Sequence, residues 1–537
     1  MKFDNILAEV NGFGRFQIRT ILLLVIPRMT LPFHFLLNNF IAVIPTHHCD
    51  FSSLDDTGLF RNLSHEEKLF VSVPFQDGVP SSCQMFAERQ YHLLFNSTNT
   101  TDPAIVPCRG GWVYDNINSK PTITSEWDLV CERKSVNRAT TTIFFMGVMI
   151  GAAIFGYFSD RFGRKITLLV SYVATAIFGF ASAFSLSFPM FAAMRFFTGF
   201  GISGISIVSI VLCIEWVDIK HRTVVGVLMS LDWSFSTALL PAVAYFAKDW
   251  RYLTAFVTSP LFAAMISWWW LPESARWLIS NGKVNRAHSY LTKCAQVNGR
   301  EEFIADLKPE VLSKVIVVED ENKKYSYLDL VRTPKMRKLA FHTGIMWFGV
   351  ASSYYGISFN VSAFGVNIYL TQFIYGMTEI PAKAFIIFFL NKLGRRLTQA
   401  GTQFLTGLCI FCGIFCSKDQ WVAQTALGAL GKMFAEAAFT TMFLFTTELY
   451  PTVMRQNGLG YSSFMARIGV AVAPLVMILE DTWRLLPSCV FTLVALAAAL
   501  SSSFLPETLN VRLPETIEDV EQTRRRSVTT PDENSTR

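Results

Sequence analysis

Apolar stretches of about twenty residues recur along this chain. Each is long enough to cross the ~30 Å hydrocarbon core of a bilayer as a helix. Twelve such stretches run over 18–44, 139–158, 166–186, 189–213, 223–246, 251–271, 339–360, 367–390, 397–416, 421–446, 457–479 and 482–505. Two long polar segments interrupt the series, 46–138 after the first stretch and 272–338 after the sixth. The first stretch lacks the short apolar core and small-residue cleavage site of a removable signal, so it is read as a retained span. Arg15 and Arg19 flank it, and the positive-inside rule puts residues 1–17 in the cytoplasm. An even number of spans then returns the tail, 506–537, to the same side.

Composition agrees with this pattern. Of 537 residues, 51% are apolar or aromatic and only 16% charged, against roughly 25% charged in soluble domains. A soluble enzyme, a disordered chain and a nucleic-acid-binding module are all poor readings of such a sequence. The net charge of +6 fits the basic cytoplasmic edges of a membrane protein and requires no nucleic-acid partner.

The segment 46–138 falls on the outer side of this topology. It carries three acceptor sequons, at Asn62, Asn96 and Asn99, and four cysteines, Cys49, Cys83, Cys108 and Cys131. An even number of cysteines in an oxidising compartment predicts two disulfides, with three pairings open. The other six cysteines, including Cys409 and Cys412, are read as buried thiols. The segment 272–338 reads as short amphipathic helices around Ala275–Leu278 and Ala287–Leu291, forming a solvated linker on the membrane face. In the polar tail, Arg524, Arg525 and Arg526 precede Ser527, a spacing that would suit a basic-directed kinase.

Three motifs occur twice at nearly one spacing. Asp160-Arg-Phe-Gly-Arg164-Lys165 returns as Asn391-Lys-Leu-Gly-Arg395-Arg396; Glu215 and Arg222 return as Glu448 and Arg455; Pro272-Glu273-Ser274 returns as Pro506-Glu507-Thr508. The chain is therefore two six-span halves, 18–271 and 339–505, joined by a central loop. Gly163 and Gly394 give the tight turns their backbone freedom. The surrounding charges are expected to latch the halves together on the cytoplasmic side and release in turn, as in a rocking carrier whose site lies at midplane.

Charges inside spans are costly, about 2.5–3.5 kcal/mol on insertion scales. The cations are Arg28, Lys383, Lys432 and Arg467; the acids are Asp232, Glu379 and Glu436. Lys432 and Glu436, and likewise Glu379 and Lys383, stand four apart and can neutralise one another along one helix. Arg467 has no acid within a turn, and a free guanidinium suits a carboxylate or sulfate. Ser463 lies one turn before it. Arg28 is either a substrate contact or a side chain reaching toward the cytoplasmic face. Arg195, followed by Gly199, Gly201 and Gly204, reads as structural or gating, in a close helix contact. Trp233, Trp347, Tyr354, Tyr355, Phe439 and Phe443 are candidate pocket aromatics, although packing is the commoner role among 48 Phe. Gly428 to Lys432 lacks the spacing of a phosphate loop, and no HExxH or nucleophile elbow occurs, so neither a pump nor a hydrolase is expected. No cofactor, metal or Na⁺ site is expected either.

The stretch Gly156-Tyr-Phe-Ser-Asp160-Arg-Phe-Gly-Arg-Lys165 resembles the signature loop of the major facilitator superfamily. Gly12-Phe-Gly-Arg-Phe16, Ile44-Pro-Thr-His-His-Cys49, Pro272-Glu-Ser-Ala-Arg-Trp-Leu278 and Glu448-Leu-Tyr-Pro451 with Arg455 resemble solute carrier family 22. Tyr354-Tyr355-Gly356, Ile380-Pro-Ala-Lys383 and Met465-Ala-Arg467 resemble its organic anion transporter branch, the rodent prostaglandin-type members among them. The resemblance spans about 1–520. It implies an all-α membrane protein with the major facilitator fold: twelve transmembrane helices in two six-helix halves, multi-pass in the plasma membrane. It implies that Lys383 and Arg467 bind anionic substrates, with Tyr354, Trp347, Phe439 and Phe443 around them. Phe35 departs from the Asn common at this place in the branch. That change would favour long lipid-like anions such as prostaglandins over short dicarboxylates.

The expected function is Na⁺-independent alternating access for organic anions, by facilitated transport or exchange with a counter-anion. The gating set is Asp160, Arg164, Arg195, Glu215, Arg222, Arg395, Glu448 and Arg455. The alternatives are an organic cation carrier using Asp232 and Glu379, or a non-transporting sensor with the same fold.

Overall fold

The computed structural model describes residues 3–522, apart from 53–58, 77, 95–102, 115–120, 219, 248, 301, 303–308, 310–311, 313–325, 361–366, 417–419, 452, 510, 512–513 and 515. Two of the sequons, Asn96 and Asn99, and the basic tail before Ser527 lie outside the described residues. Asn62 is exposed, at the end of a short 3-10 turn.

Twelve helical spans carry the chain. The N-terminal half holds α1 (Arg15–Ile41), α2 (Lys134–Phe162), α3 (Arg164–Ala183), α4 (Phe188–Glu215), α5 (Arg222–Phe246) and α6 (Trp250–Trp270). The C-terminal half holds α7 (Pro334–Phe359), α8 (Ile368–Leu393), α9 (Arg395–Ile414), α10 (Trp421–Leu449), α11 (Arg455–Ile478) and α12 (Leu486–Ser503). Pro27 lies in the last turn before α1 first breaks, and Pro260 opens the second piece of α6; a ring with no N–H cannot continue the ladder. Among the described residues, ten of these twelve helices are long and apolar enough to cross a membrane. The two that fall short are α7 and α10, which turn their polar side chains inward: Thr343, Ser352, Tyr354, Lys432 and Glu436 are all buried. Their polarity marks an interior lining.

The repeated turns show why their sequences recur. Gly163 and Gly394 both hold positive φ, 103° and 86°. A Cβ at either would stand 2.6 Å from a carboxylate oxygen, of Glu273 or Glu507 respectively. Glu273 accepts from the Arg164 and Lys165 amides at 3.0–3.2 Å, and Glu507 from those of Arg395 and Arg396 at 2.9 and 3.0 Å. Each acid thus caps the first turn of α3 or α9, whose N–H groups lack partners within the helix.

The segment between α1 and α2 folds into three two-stranded antiparallel sheets tied by two disulfides, Cys49–Cys108 and Cys83–Cys131. The central loop is not the solvated linker expected. Helices Ala275–Ser280 and Val284–Asn298 bury Trp277, Leu278, Leu291 and Cys294 in one core cluster with Phe3, Ile6 and Leu7 of the N-terminal helix Phe3–Glu9. The Asn298 amide donates to the Val10 and Asn11 carbonyls (3.0 Å each), fastening that helix down. Burial pushes the Cys294 thiol up to about 12. Four other thiols, Cys409, Cys412, Cys416 and Cys489, are half-buried, less enclosed than their apolar surroundings suggested.

Candidate substrate-binding site

The two halves meet around the middle of their long helices and toward the face bearing the 46–138 segment, here the loop face. At its rim Lys134 pairs with Asp481 (2.8 Å), and Arg138 reaches Glu480 and the Met477 carbonyl. Below them the Asn39 amide donates to the Ser358 carbonyl (2.7 Å) and to Gln372 (3.2 Å), and Thr142 donates to the Ala471 carbonyl (3.1 Å). At the opposite face, Arg164 binds Glu215 (3.0 Å) and Asp160 (3.1 Å), while Arg395 binds Glu448 (3.0 Å). Each of these pairs stays inside its own half. The expected latch between halves is, for these residues, a pair of clasps within them. Arg222 donates to the Val217 carbonyl at 3.3 Å, and Arg455 interacts with Glu448.

At mid-depth the ionisable side chains sort into three arrangements. Arg28 is 6% exposed and grips Asp232 through Nε (2.6 Å) and Nη2 (3.2 Å), with Met229 O as a further acceptor at 2.8 Å. It therefore neither stands free for a substrate nor reaches out to the helix end, because Asp232, nearly three turns into α5, holds it. Arg195 is fully buried between the His34 carbonyl (3.0 Å), His34 Nδ1 (3.1 Å) and the face of Phe144. Close packing allows this: a Cβ on Gly199 would stand 2.2 Å from the Phe144 carbonyl oxygen.

The third arrangement is a buried tetrad in the C-terminal half. The pairs expected along single helices are crossed between them. Lys383 of α8 binds Glu436 of α10 at 3.1 Å, and Lys432 of α10 binds Glu379 of α8 at 3.2 Å. Helix-surface spacing permits the local pairs, but both helices turn these residues toward one another, and the facing acid is the nearer partner. Glu379 also accepts from Tyr354 (2.6 Å) and from Ser234 of α5 (3.0 Å). Lys383 donates to the Ser230 carbonyl (2.7 Å) and Ser234 Oγ (2.6 Å), and Lys432 to Ser358 Oγ (2.6 Å). The tetrad is thus a joint between halves.

Arg467 is different. It lies on α11, half-buried, and donates to the carbonyl and hydroxyl of Ser463 one turn before it. Among the described residues it has no acidic partner. Tyr355 is its electrostatic neighbour and also faces Glu379 and Glu436.

A continuous aromatic wall joins these groups. Phe35 packs edge-on against Phe145 (5.1 Å) and Trp233 (5.5 Å), and Phe145 against Tyr355 (5.5 Å). Trp233 donates to the Tyr354 hydroxyl at 3.0 Å. Tyr354 meets Phe439, Phe439 meets Phe443, and Phe443 meets Trp347, at 5.4, 5.8 and 4.6 Å. Trp347 is buried and donates to Thr446 (2.8 Å), whereas Phe443 is 46% exposed. The structure therefore brings Phe35, Trp233, Tyr354, Tyr355, Phe439, Phe443, Trp347, Lys383, Arg467 and Ser463 into one region, and engages Arg28 with Asp232 and Arg195 with His34 and Phe144. Sequence reasoning missed Ser230, Ser234 and Ser358, which carry no periodic signal, and the capping role of Glu273 and Glu507, which the repeated Pro-Glu pair could have suggested.

Residues 75–519 match the sugar (and other) transporter family. Solute carrier family 22 member 7 from Pongo abelii is 45% identical, covering 97% of this chain and 96% of that protein; the Homo sapiens protein has the same figures. Solute carrier family 22 member 6 from Pseudopleuronectes americanus is 37% identical, covering 97% and 95%. Among solved structures, the inward-open xylose transporter XylE from E. coli aligns with a TM-score of 0.59 at 19% identity, over 75% of this chain and 93% of that one. That likeness speaks for the fold alone. The chain belongs to the sugar (and other) transporter family of multi-pass membrane carriers and, within it, to solute carrier family 22.

Proposed function

We propose that this protein carries organic anions, prostaglandins among them, across the plasma membrane by alternating access, with both termini cytoplasmic. The observation that carries the reading is the state of Arg467, a guanidinium without an acidic partner among the described residues, beside an aromatic wall. An amphipathic carboxylate fits such a site: its charge meets Arg467 and its apolar body the rings of Phe35, Tyr355, Phe439 and Phe443. Lys383, which the family resemblance pairs with Arg467, is occupied by Glu436 and takes a share of the substrate only as that pair loosens. Phe35, closed in by Phe144, Phe145 and Trp233, favours long apolar anions over short dicarboxylates.

The cation-carrier alternative loses its acids, because Asp232 is held by Arg28 and Glu379 by Lys432. Rocking of 18–271 against 339–505 would open the loop face by parting Lys134 from Asp481 and Arg138 from Glu480. With no substrate bound, the region of Arg467 and the tetrad keeps one unneutralised charge in a low-dielectric interior, which makes the empty return unfavourable. The return step therefore proceeds best with a counter-anion bound, which is exchange. The test is uptake of labelled prostaglandin E₂ and of an organic cation into cells expressing the chain or Arg467→Ala, with surface levels matched. Saturable prostaglandin uptake lost in the variant, with no cation uptake, is the expected result. Cation uptake that survives Arg467→Ala would contradict it.

A further inference from the structure

The tetrad and Arg467 together hold a charge that can be counted. Lys383 and Lys432 are matched by the carboxylates Glu436 and Glu379, and Arg467, which adjoins the tetrad through Tyr355, leaves one positive charge over. A monoanion at Arg467 brings this region to neutrality. A dianion overshoots, adding a surplus negative charge beside two buried carboxylates. Like charges at such a site disfavour the ionised form of one of them, and a proton from water removes the surplus. Resting on the anion-carrier reading above, we propose that the site admits one negative charge per cycle, so that a dianion travels only together with a proton, and that Glu436 holds that proton.

Two features select Glu436 over Glu379. Glu379 is fully buried and tied down by Tyr354, Ser234 and Lys432, all within 3.2 Å. Glu436 keeps 5% exposure, binds Lys383, and otherwise has only a long contact from Thr440 at 3.5 Å. It is the less enclosed carboxylate of the two and has the fewer donors to lose. The groups facing it are Lys383 and Glu379 from α8, Tyr354 and Tyr355 from α7, Lys432 on its own helix, and Arg467 from α11 through Tyr355. From α9, Cys409 packs against Gly431, more than a turn before Glu436 on α10. From the N-terminal half, the neutral Ser234 accepts from Lys383, the partner of Glu436. In the cycle, water on the entry side supplies the proton, which bonds to a Glu436 oxygen as the dianion settles on Arg467. On the far side the dianion leaves, the Lys383–Glu436 pair re-forms and the proton returns to water.

The test reconstitutes the full chain in liposomes with a trapped pH dye and clamped membrane potential. The probes are a naphthalene monosulfonate and a naphthalene disulfonate, both fully ionised from neutral to mildly acidic pH. The expected result is monosulfonate uptake indifferent to external pH, with disulfonate uptake rising several-fold in acid and acidifying the lumen by one proton per molecule. Glu436→Gln, which mimics the protonated side chain, should make disulfonate uptake independent of pH and end the proton influx. Disulfonate uptake without lumenal acidification in the wild-type chain would overturn the proposal whether or not the variant folds. So would proton influx that persists in Glu436→Gln, or disulfonate exclusion in acid while monosulfonate enters. Failure to move either sulfonate would instead sink the underlying anion reading.

Discussion

At the scale of the residue, partner choice matters more than charge count. Removing one member of a buried ion pair leaves the other uncompensated, at a cost of about 3–5 kcal/mol. Lys432→Met is therefore expected to lower surface expression and thermal stability steeply. Adding Glu379→Gln, its partner across the helices, should restore much of the loss, while adding Glu436→Gln, its neighbour along the helix, should not. Thermal unfolding of the purified variants in detergent reads this directly. Phe35→Asn removes a ring from between Phe144, Phe145 and Trp233. It is expected to shift preference from prostaglandin toward a short dicarboxylate, and an unchanged ratio of the two uptakes would count against that role. The charged residues were legible in the sequence because charge in an apolar run is conspicuous. Their pairing was not, since local spacing describes only one helix and α8 faces α10.

At the scale of the element, the twin turns are the most regular feature. A residue with a Cβ at Gly163 or Gly394 meets both an unfavourable φ and a carboxylate, so Gly163→Ala should destabilise by about 1–3 kcal/mol, the cost of holding a non-glycine residue in a glycine-only backbone region. Circular-dichroism melts would measure it. Burial raises the Glu507 carboxyl, but donors from Leu509, Arg395, Thr508 and Arg396 together outweigh it and hold the group below its ordinary range. A depressed carboxylate stabilises the fold above the unfolded value and loses that contribution as pH falls through the folded one. Glu507→Gln should therefore be less stable near neutrality yet show a weaker acid dependence, visible in melts across an acidic series. The repeats announced these turns; the cap did not show because it joins residues 112 apart in sequence. The central loop was misread for a similar reason, as its apolar residues bury against a helix at the other end of the half.

At the scale of the whole molecule, ten of the long helices were legible from apolar length, which a bilayer imposes, and the internal repeat pointed to α7 and α10 as well. The conformation was not, since it depends on which polar ends meet. The loop face is closed by Lys134 with Asp481, Arg138 with Glu480, and Asn39 with Gln372. A short cleavable bis-thiosulfonate cross-link between Asn39→Cys and Gln372→Cys, whose native side-chain ends touch, should hold that closure and stop uptake, with recovery on reduction. Uptake unaffected by a verified cross-link would mean that the loop face need not open. The account rests on one uncompensated positive charge selecting the anion. The most direct measurement is prostaglandin E₂ uptake by Arg467→Ala beside Arg467→Ala combined with Glu436→Gln. The single variant brings the region to neutrality and should be inactive; the double variant frees Lys383, restores the positive charge and should regain part of the uptake. A double variant no more active than the single one, at equal surface level, would contradict the account.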